Sequence, residues 1–255
     1  MKIKVTRTEL KEIQSFRVLF LHENNFQIRY NACHERNWSD SYRLENEGIQ
    51  IGYGSVKGKD NYEHRDAIFE FFVLPHLRKL SSTIFFELIQ SSAAEFVECQ
   101  SNDQLLSSML FEFTQDIYSD VILFEDYVVT EYLRPEVIFR RRNNDDKIFE
   151  HKSEPIGDYV LEKQGKVIAT GGFLLHYNMP FADLYMEVEE NEREKGFGSF
   201  IIQELKKECY IAGRVPAARC NIQNIASKAT LLKAGLRICG FMLTGEIKNT
   251  RKKIE

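Results

Sequence analysis

The sequence lacks the features that would mark a membrane protein, a disulfide scaffold or a structural-metal protein. No apolar run approaches the length needed to cross a bilayer, and no secretory leader precedes the first charged residues. The five cysteines are an odd number and include no Cys-x-x-Cys pair with metal-ligand spacing. We therefore expect a cytoplasmic protein with reduced thiols, no metal and no membrane association.

An excess of basic residues is also missing. The chain has 34 lysines and arginines against 38 aspartates and glutamates, which gives a formal net charge of -4. A general nucleic-acid-binding protein would need a basic face, and the basic run at residues 140–142 is closely followed by Asp145 and Asp146. We expect that run to be solvated and no nucleic acid to be bound. At 255 residues, the chain is long enough for two domains.

The most informative segment that is present spans residues 193–199. It follows an apolar, β-prone run at 184–188 and precedes a run at 200–212 whose apolar residues recur at helical spacing. Its two glycines remove side-chain bulk, so that successive backbone N–H groups can converge on one anion. A helix N-terminus, Arg193 and Lys195 add positive charge, which together would suit a pyrophosphate. The alternative for this window is an ordinary strand-to-helix turn with a helix-capping serine.

The residues downstream of this turn give it a more specific meaning. Val215–Asn221 has the composition of a short buried strand, and residues 238–247 predict a closing strand. Between them, Asn224 and Ser227 lie near the start of a short predicted helix, and Gly235 is placed to end it.

This order of elements and motifs resembles the cofactor-binding half of the GNAT (Gcn5-related) N-acetyltransferases over about residues 157–247. The resemblance implies an α/β fold with a mixed α+β sheet flanked by helices, in which two central strands splay apart to admit acetyl-CoA. It also implies that the strand before the turn binds the thioester and the pantetheine arm, while the turn binds the pyrophosphate. The cofactor-binding residues implied in this way are Met186, Val188, Arg193, Glu194, Lys195, Gly196, Phe197, Gly198, Ser199, Asn224 and Ser227.

Two residues depart from the pattern of that family. Leu231 stands where the family frequently carries a tyrosine that protonates the leaving thiolate, and leucine cannot donate a proton. Water, Tyr210 or Tyr185 would have to do so, or the thiolate leaves unassisted. Glu194 stands where the family favours glycine, and its carboxylate would lie close to the pyrophosphate unless it points outward.

Candidate catalytic residues alternate along the strand before the turn. Period-two geometry places Asp183, Tyr185 and Glu187 on one face of this strand, provided that no bulge intervenes. Glu187 is the first candidate for the general base and Asp183 the second, whereas a solvated carboxylate is the better account of Glu189. His176, in a neighbouring loop, titrates in a suitable range. These acidic residues would favour a cationic amine as the acceptor.

The first half of the chain repeats the element order of the second half. Residues 67–74 parallel residues 182–188, and each run is followed by an amphipathic helix, a strand and a short helix. The equivalent turn at 75–82 contains Arg78 but no glycine, so that Cβ atoms occupy the space a pyrophosphate would need. The alternative is an unrelated α+β domain whose element order matches by accident.

We therefore predict two tandem copies of the GNAT-like acyl-CoA transferase fold. Residues 1–133 would form a degenerate copy with a structural or acceptor-binding role, and residues 134–255 would form the copy that binds acetyl-CoA. The predicted reaction moves an acetyl group to a small-molecule or peptide amine through a ternary complex, and a homodimer is left open. The alternatives are a non-catalytic acetyl-CoA-binding or interaction module with the same fold, and an unrelated phosphate-binding domain without splayed strands.

Overall fold

The structure is a computed structural model that describes residues 2–24, 26–27 and 30–248. Within this part of the chain, contacts divide the protein into two compact units. The first unit contains the described parts of Met1–Phe26, Tyr30–Asp120 and Gly240–Glu255, and the second contains Gln27 together with Val121–Cys239.

The first unit is a mixed sheet that carries helices. Strands β1 to β4 pair antiparallel in sequence order, β4 pairs parallel with β5, and β5 pairs antiparallel with the second part of β12. A 3-10 turn at Pro75–Leu80 connects β4 to the third helix. The elements are β1 (Ile3–Thr8), α1 (Leu10–Glu23), α2 (Tyr30–Glu35), β2 (Ser39–Asn46), β3 (Ile49–Lys57), β4 (Ala67–Val73), α3 (Ser81–Ser92), β5 (Phe96–Gln100), α4 (Gln104–Phe113), the first part of β6 (Thr114–Asp126) and the second part of β12 (Leu236–Ile247).

The second unit repeats this plan around its own parallel pair. Its sheet has the order β6-β11-β10-β9-β8-β7, in which β10 and β11 are parallel and the other neighbours are antiparallel. A 3-10 turn at Glu190–Glu192 connects β10 to the helix that follows it. Besides the second part of β6, the elements are β7 (Ile138–Arg141), β8 (Tyr159–Lys163), β9 (Lys166–Leu174), β10 (Phe181–Val188), α5 (Phe197–Ile211), β11 (Val215–Asn221) and α6 (Ile225–Lys233).

The units are not two consecutive halves of the chain. Residues 242–246 of β12 pair with β5 inside the first unit, and residues 121–125 of β6 pair with β11 inside the second. The contacts therefore divide the chain at Asp120/Val121 and at Cys239/Gly240, whereas the sequence favoured domains at 1–133 and 134–255. The difference arises because both pairings join residues far apart in sequence, which local patterns do not reveal.

In both units, the pairing of the parallel strands ends after a few residues. The β10–β11 pairing runs from Phe181–Val215 to Asp183–Ala217 only, although both strands continue beyond it. The β4–β5 pairing likewise ends at Ile68–Val97. The predicted splayed pair of central strands is thus present in each copy. We call the gap beyond the last paired residues the wedge of that unit.

Among the described residues, no helix is both long and apolar enough to span a bilayer.

Candidate cofactor site

The outer half of β10 presents an open backbone edge in the second unit. β10 pairs with β9 without a shift of register, but its pairing with β11 ends at Asp183. The Glu189 N–H donates to the Ile168 carbonyl, so hydrogen bonds to the β9 side come from alternate residues. The N–H and C=O groups of Met186 and Val188 therefore point into the wedge, which is the edge that the sequence predicted for them.

The turn after β10 contains two residues with left-handed backbone. Glu194 has φ +63° and Gly196 has φ +84°, and Gly196 is the N-cap residue of α5. Within the described part of the chain, no side chain caps this helix end. The N–H groups of its first turn, from Phe197 to Ser199, have no intrahelical acceptor. Because the helix dipole adds partial positive charge there, these donors are suited to binding an anion.

Ser199 and Asn224 fix α6 beside this turn. The buried Ser199 Oγ donates to the Thr230 carbonyl at 3.3 Å, so this serine does not cap α5. Asn224 Oδ1 accepts the Ser227 N–H at 3.0 Å and caps α6. A Cβ on Gly198 would lie 3.1 Å from the Thr230 methyl group, which shows how closely the two helices approach. Ser199 and Gly198 thus bring the start of α5 against α6.

Two further basic residues at the turn were missed by the sequence reasoning. A Cβ built on Gly196 would meet the Arg134 guanidinium and would lie 3.9 Å from Lys233 Nζ. The Arg134 guanidinium also lies over the Phe197 ring, 5.7 Å from its centroid. Tyr132 Oη donates to the Lys233 carbonyl at 2.8 Å, which ties the chain segment around Arg134 to the end of α6. No local pattern links Arg134 to a turn so much later in the sequence.

The two predicted basic side chains of the turn are engaged with the protein itself. Arg193 Nε donates to the Val188 carbonyl at 3.0 Å, and its Nη2 lies 3.7 Å from the Glu187 carboxylate. Lys195 Nζ forms an ion pair with Glu192 at 3.1 Å. Arg193 therefore closes the turn onto the end of β10, while Lys195 stays on the exposed side.

Glu187 is held by backbone donors on all sides. The N–H of Lys152 donates to one carboxylate oxygen at 2.9 Å, and those of Ser153 and Glu154 donate to the other at 3.2 and 3.1 Å. Burial acts to raise the pKa of Glu187, but these three donors and the nearby His151 outweigh it and lower the pKa. A carboxylate held in this way is a poor proton acceptor, and it anchors the segment 152–154 over the β10 face.

Asp183 and Tyr185 lie on the same face of β10 as Glu187, because the register with β9 has no shift. Asp183 is buried, with Arg219 Nε 3.4 Å from its carboxylate. Tyr185 packs on Gly172, and desolvation raises the pKa of its phenol. The sequence reasoning missed Glu154, whose pKa is raised by desolvation and by the neighbouring Glu187 charge.

The structure narrows the choice of proton donor for a leaving thiolate. Leu231 is buried at 4% exposure and carries no proton to donate. Tyr210 donates its hydroxyl to Asp126 at 2.8 Å, and desolvation together with that bond raises the pKa of Tyr210 to about 12. His176 lies in the β9–β10 loop, with its ring against Tyr177.

No family model matches the chain, and no curated protein matches it. Solved structures do match. The chain superposes on an acetyltransferase of the GNAT family from Colwellia psychrerythraea with a TM-score of 0.73 at 12% identity, over 97% of this chain and 100% of that one. A tandem GNAT protein from the clavulanic acid biosynthesis pathway gives 0.58 at 9% identity, over 96% and 98%. A GCN5-related N-acetyltransferase from Sphaerobacter thermophilus gives 0.52 at 10% identity, over 82% and 81%. These likenesses confirm the prediction of a two-copy GNAT fold.

Proposed function

We propose that this protein transfers an acetyl group from acetyl-CoA to an amine, with the cofactor bound in the second unit. The observation that carries the proposal is the continuity of two backbone features. The open edge of β10 leads directly into the uncapped N-terminus of α5. An extended pantetheine arm would pair with the first feature, and a pyrophosphate would be bound by the second.

Individual residues receive roles from this arrangement. Met186 and Val188 would offer backbone groups to the arm and the thioester, and the N–H groups from Phe197 to Ser199 would bind the pyrophosphate. Arg134 and Lys233 would supply positive charge to the pyrophosphate, because Arg193 is already bound to Val188 and Glu187. The carboxylate of Glu194 opposes this charge, which makes it the unfavourable residue of the site.

The amine would approach from the face that carries Asp183, Tyr185 and Glu187. Its nitrogen attacks the thioester carbonyl, the C–N bond forms, the C–S bond breaks, and the nitrogen loses a proton. Glu154 is better suited to receive that proton than Glu187, because its pKa is raised while that of Glu187 is lowered. Glu187 would orient the loop and attract a cationic acceptor. Tyr185 is the candidate phenol for protonating the thiolate, because it lies on the same face of β10 as Asp183 and Glu187.

The cofactor assignment is tested by comparing CoA with an acetyl donor that lacks the pyrophosphate. Arg134→Ala and Lys233→Ala should each weaken CoA binding several-fold in calorimetry, because each removes a charge beside the pyrophosphate. Neither should alter turnover of S-acetylpantetheine, which lacks the pyrophosphate. Lys166→Ala is the matched control, since this exposed lysine pairs with Glu189 instead of facing Gly196. Equal losses with both donors, or in the control, would contradict the assignment.

Release of free thiol from acetyl-CoA, measured over a panel of amines, tests the reaction itself. We expect amine-dependent release that falls at least tenfold in Glu154→Gln. The non-catalytic alternative has one observation in its favour, since Leu231 replaces the usual proton donor and is buried. Saturable CoA binding without thiol release on any amine would support that alternative and refute the transferase.

A further inference from the structure

A cavity lies in the wedge of the first unit. It has a volume of about 360 Å³ and is bounded by the end of α1, by β4, by the 3-10 turn and by the start of α4. The residues that matter here are Phe20, Glu23, Phe72, Arg78, Asn102 and Asp103. The volume is within the range typical of small-molecule sites.

The cavity has an open strand edge like that of the second unit. Leu74 N–H donates to the Ile51 carbonyl, so alternate residues of β4 bond towards β3. The N–H and C=O groups of Phe71 and Val73 therefore face the wedge, where pairing with β5 has already ended. Phe71 also lines the cavity. A ligand here would meet this strand edge, on which the Val73 carbonyl already accepts a hydrogen bond from Arg78 Nε.

A phosphate-bearing cofactor does not suit this wedge. The turn at Pro75–Leu80 is a 3-10 helix without glycine, so it offers no left-handed nest. Its arginine, Arg78, is paired with Glu23 at 2.5 Å and donates from Nε to the Val73 carbonyl. The lining contains two carboxylates, of Glu23 and Asp103, and one guanidinium, of Arg78, so the formal charge of the cavity favours a cation.

Asp103 lies at the start of α4 with a carboxylate that is only partly hydrogen-bonded. The residue is 1% exposed, and Oδ1 accepts the Leu106 N–H at 3.0 Å to cap α4. Among the described residues, Oδ2 is buried without a hydrogen-bond partner, and so are both amide atoms of the fully buried Gln100. A buried acceptor without a donor is unfavourable, because it has lost its hydrogen bonds to water. A donor from a ligand would recover part of that cost.

We infer that this cavity binds a small primary amine as its ammonium ion, with Asp103 Oδ2 accepting a hydrogen bond from the nitrogen. The rings of Phe20 and Phe72 would contact the apolar body of the ligand, and an aromatic face also attracts a cation. Asn102 would supply further polar contact at the mouth. The site consists of residues of the first unit only, and it does not depend on the proposed transferase reaction.

Proton release on binding gives this site a distinctive signature. Burial raises the pKa of Asp103 to about 7, although the backbone N–H groups of Leu106 and Leu105 act to lower it. An ammonium ion should bind the ionised carboxyl, so binding should release protons and strengthen as the pH rises from 6 to 8. The charged and titratable groups that act on Asp103 or share its cavity are Glu23, Tyr30, Tyr53, Glu70, Arg78 and Cys99.

Calorimetry on the full chain with phenethylamine and the neutral 2-phenylethanol tests the inference. The amine should bind about tenfold more tightly at pH 8 than at pH 6, because the ionised fraction of a group with a pKa of about 7 rises about tenfold over that interval. The alcohol should bind at least tenfold more weakly at pH 8. Asp103→Asn keeps an oxygen for the helix cap but should lose both the affinity and the pH dependence. Glu112→Gln, on the exposed end of α4, is the matched control.

Wild-type affinity in Asp103→Asn, or equal binding of the alcohol, would overturn the inference. Displacement of the amine by CoA would also overturn it, because the amine would then occupy the cofactor site. If Asp103→Asn fails to fold, Leu105→Trp narrows the same cavity without changing its charge. That variant should weaken amine binding at least tenfold, and unchanged affinity would count against the cavity.

Discussion

Replacing Glu194 by glycine should stabilise the protein and tighten CoA binding at the same time. The residue has φ +63°, a region in which a Cβ is unfavourable. Its exposed carboxylate also lies in the turn proposed to bind the pyrophosphate. Two substitutions separate these effects, since Glu194→Gln removes only the charge, whereas Glu194→Gly removes the charge and the Cβ.

The expected magnitudes follow from the backbone angle and the exposure. A non-glycine residue in the left-handed region costs about 1–2 kcal/mol, and the greater freedom of glycine in the unfolded chain returns about 0.5–1 kcal/mol of that. Glu194→Gly should therefore raise the free energy of unfolding by about 0.5–1 kcal/mol. An exposed charge contributes about 0.5–1 kcal/mol to such a site, so both variants should bind CoA about threefold more tightly.

Urea unfolding without ligand and calorimetry with CoA at low salt would measure the two effects. Asp116→Gly is the matched control, because Asp116 also has a positive φ, +51°, but lies in the first unit. It should gain stability and leave CoA affinity unchanged. A Glu194→Gly protein no more stable than Glu194→Gln would refute the backbone reasoning. Weaker CoA binding in both variants would refute the placement of the pyrophosphate.

Three other substitutions test contacts inside one unit or the other. Burial acts to raise the pKa of Glu70, but Arg17 helps hold that pKa at about 2, against an ordinary value of 4.5. Glu70→Gln should therefore lower the free energy of unfolding, measured with urea at neutral pH, by about 3 kcal/mol. In the native protein this contribution should be complete above pH 4.5 and fade as the pH falls towards 2. Glu187→Gln should speed hydrogen exchange of the three N–H groups that donate to the Glu187 carboxylate. Because the pKa of Glu187 is lowered, acidification below pH 4.5 should likewise speed exchange of these groups in the native protein. Gly235→Ala should destabilise more than Gly213→Ala, since both have positive φ but only a Cβ at Gly235 meets a backbone carbonyl.

Each of these has a control or a contradicting result. Tyr53→Phe removes one donor to the Glu70 carboxylate and should cost only about 1 kcal/mol, so an equal loss in both variants would contradict the ion-pair argument. For Glu187, Glu189→Gln should leave exchange at 152–154 unchanged, and the same acceleration in both would argue against a specific anchor. Equal urea midpoints for the two glycine variants would show that the carbonyl contact is relieved at little cost.

The elements on either side of the turn could be predicted because their signals are local in sequence. The period-two run at 184–188 is found within β10, and the helical run at 200–212 is found within α5, one residue beyond its end excepted. Gly235 ends α6 with φ +88°, the conformation for which glycine is required. Each of these features depends on neighbours within one or two turns or strands, so the chain itself carries the information.

The charge around the turn and the division into units could not be predicted in the same way. Arg134 reaches Gly196, and the N–H groups of 152–154 reach Glu187, across long separations in sequence. Lys206 is buried against Asp126, although a lysine on an amphipathic helix would ordinarily be solvated. These contacts depend on how the strands pair, and that pairing cannot be predicted from local patterns in a single sequence.

The two wedges show which part of a binding site belongs to the fold and which belongs to the turn. In each copy an arginine five residues after the last strand residue donates from Nε to its carbonyl, Arg193 to Val188 at 3.0 Å and Arg78 to Val73 at 3.2 Å. The open strand edge is therefore conserved between the copies together with its closing arginine. The copies differ in the residues beyond that bond, where one has left-handed glycine backbone and the other a 3-10 helix. Under both proposals, the residues beyond the strand edge decide which ligand each wedge binds, so the first copy would bind a cation where the second would bind a pyrophosphate.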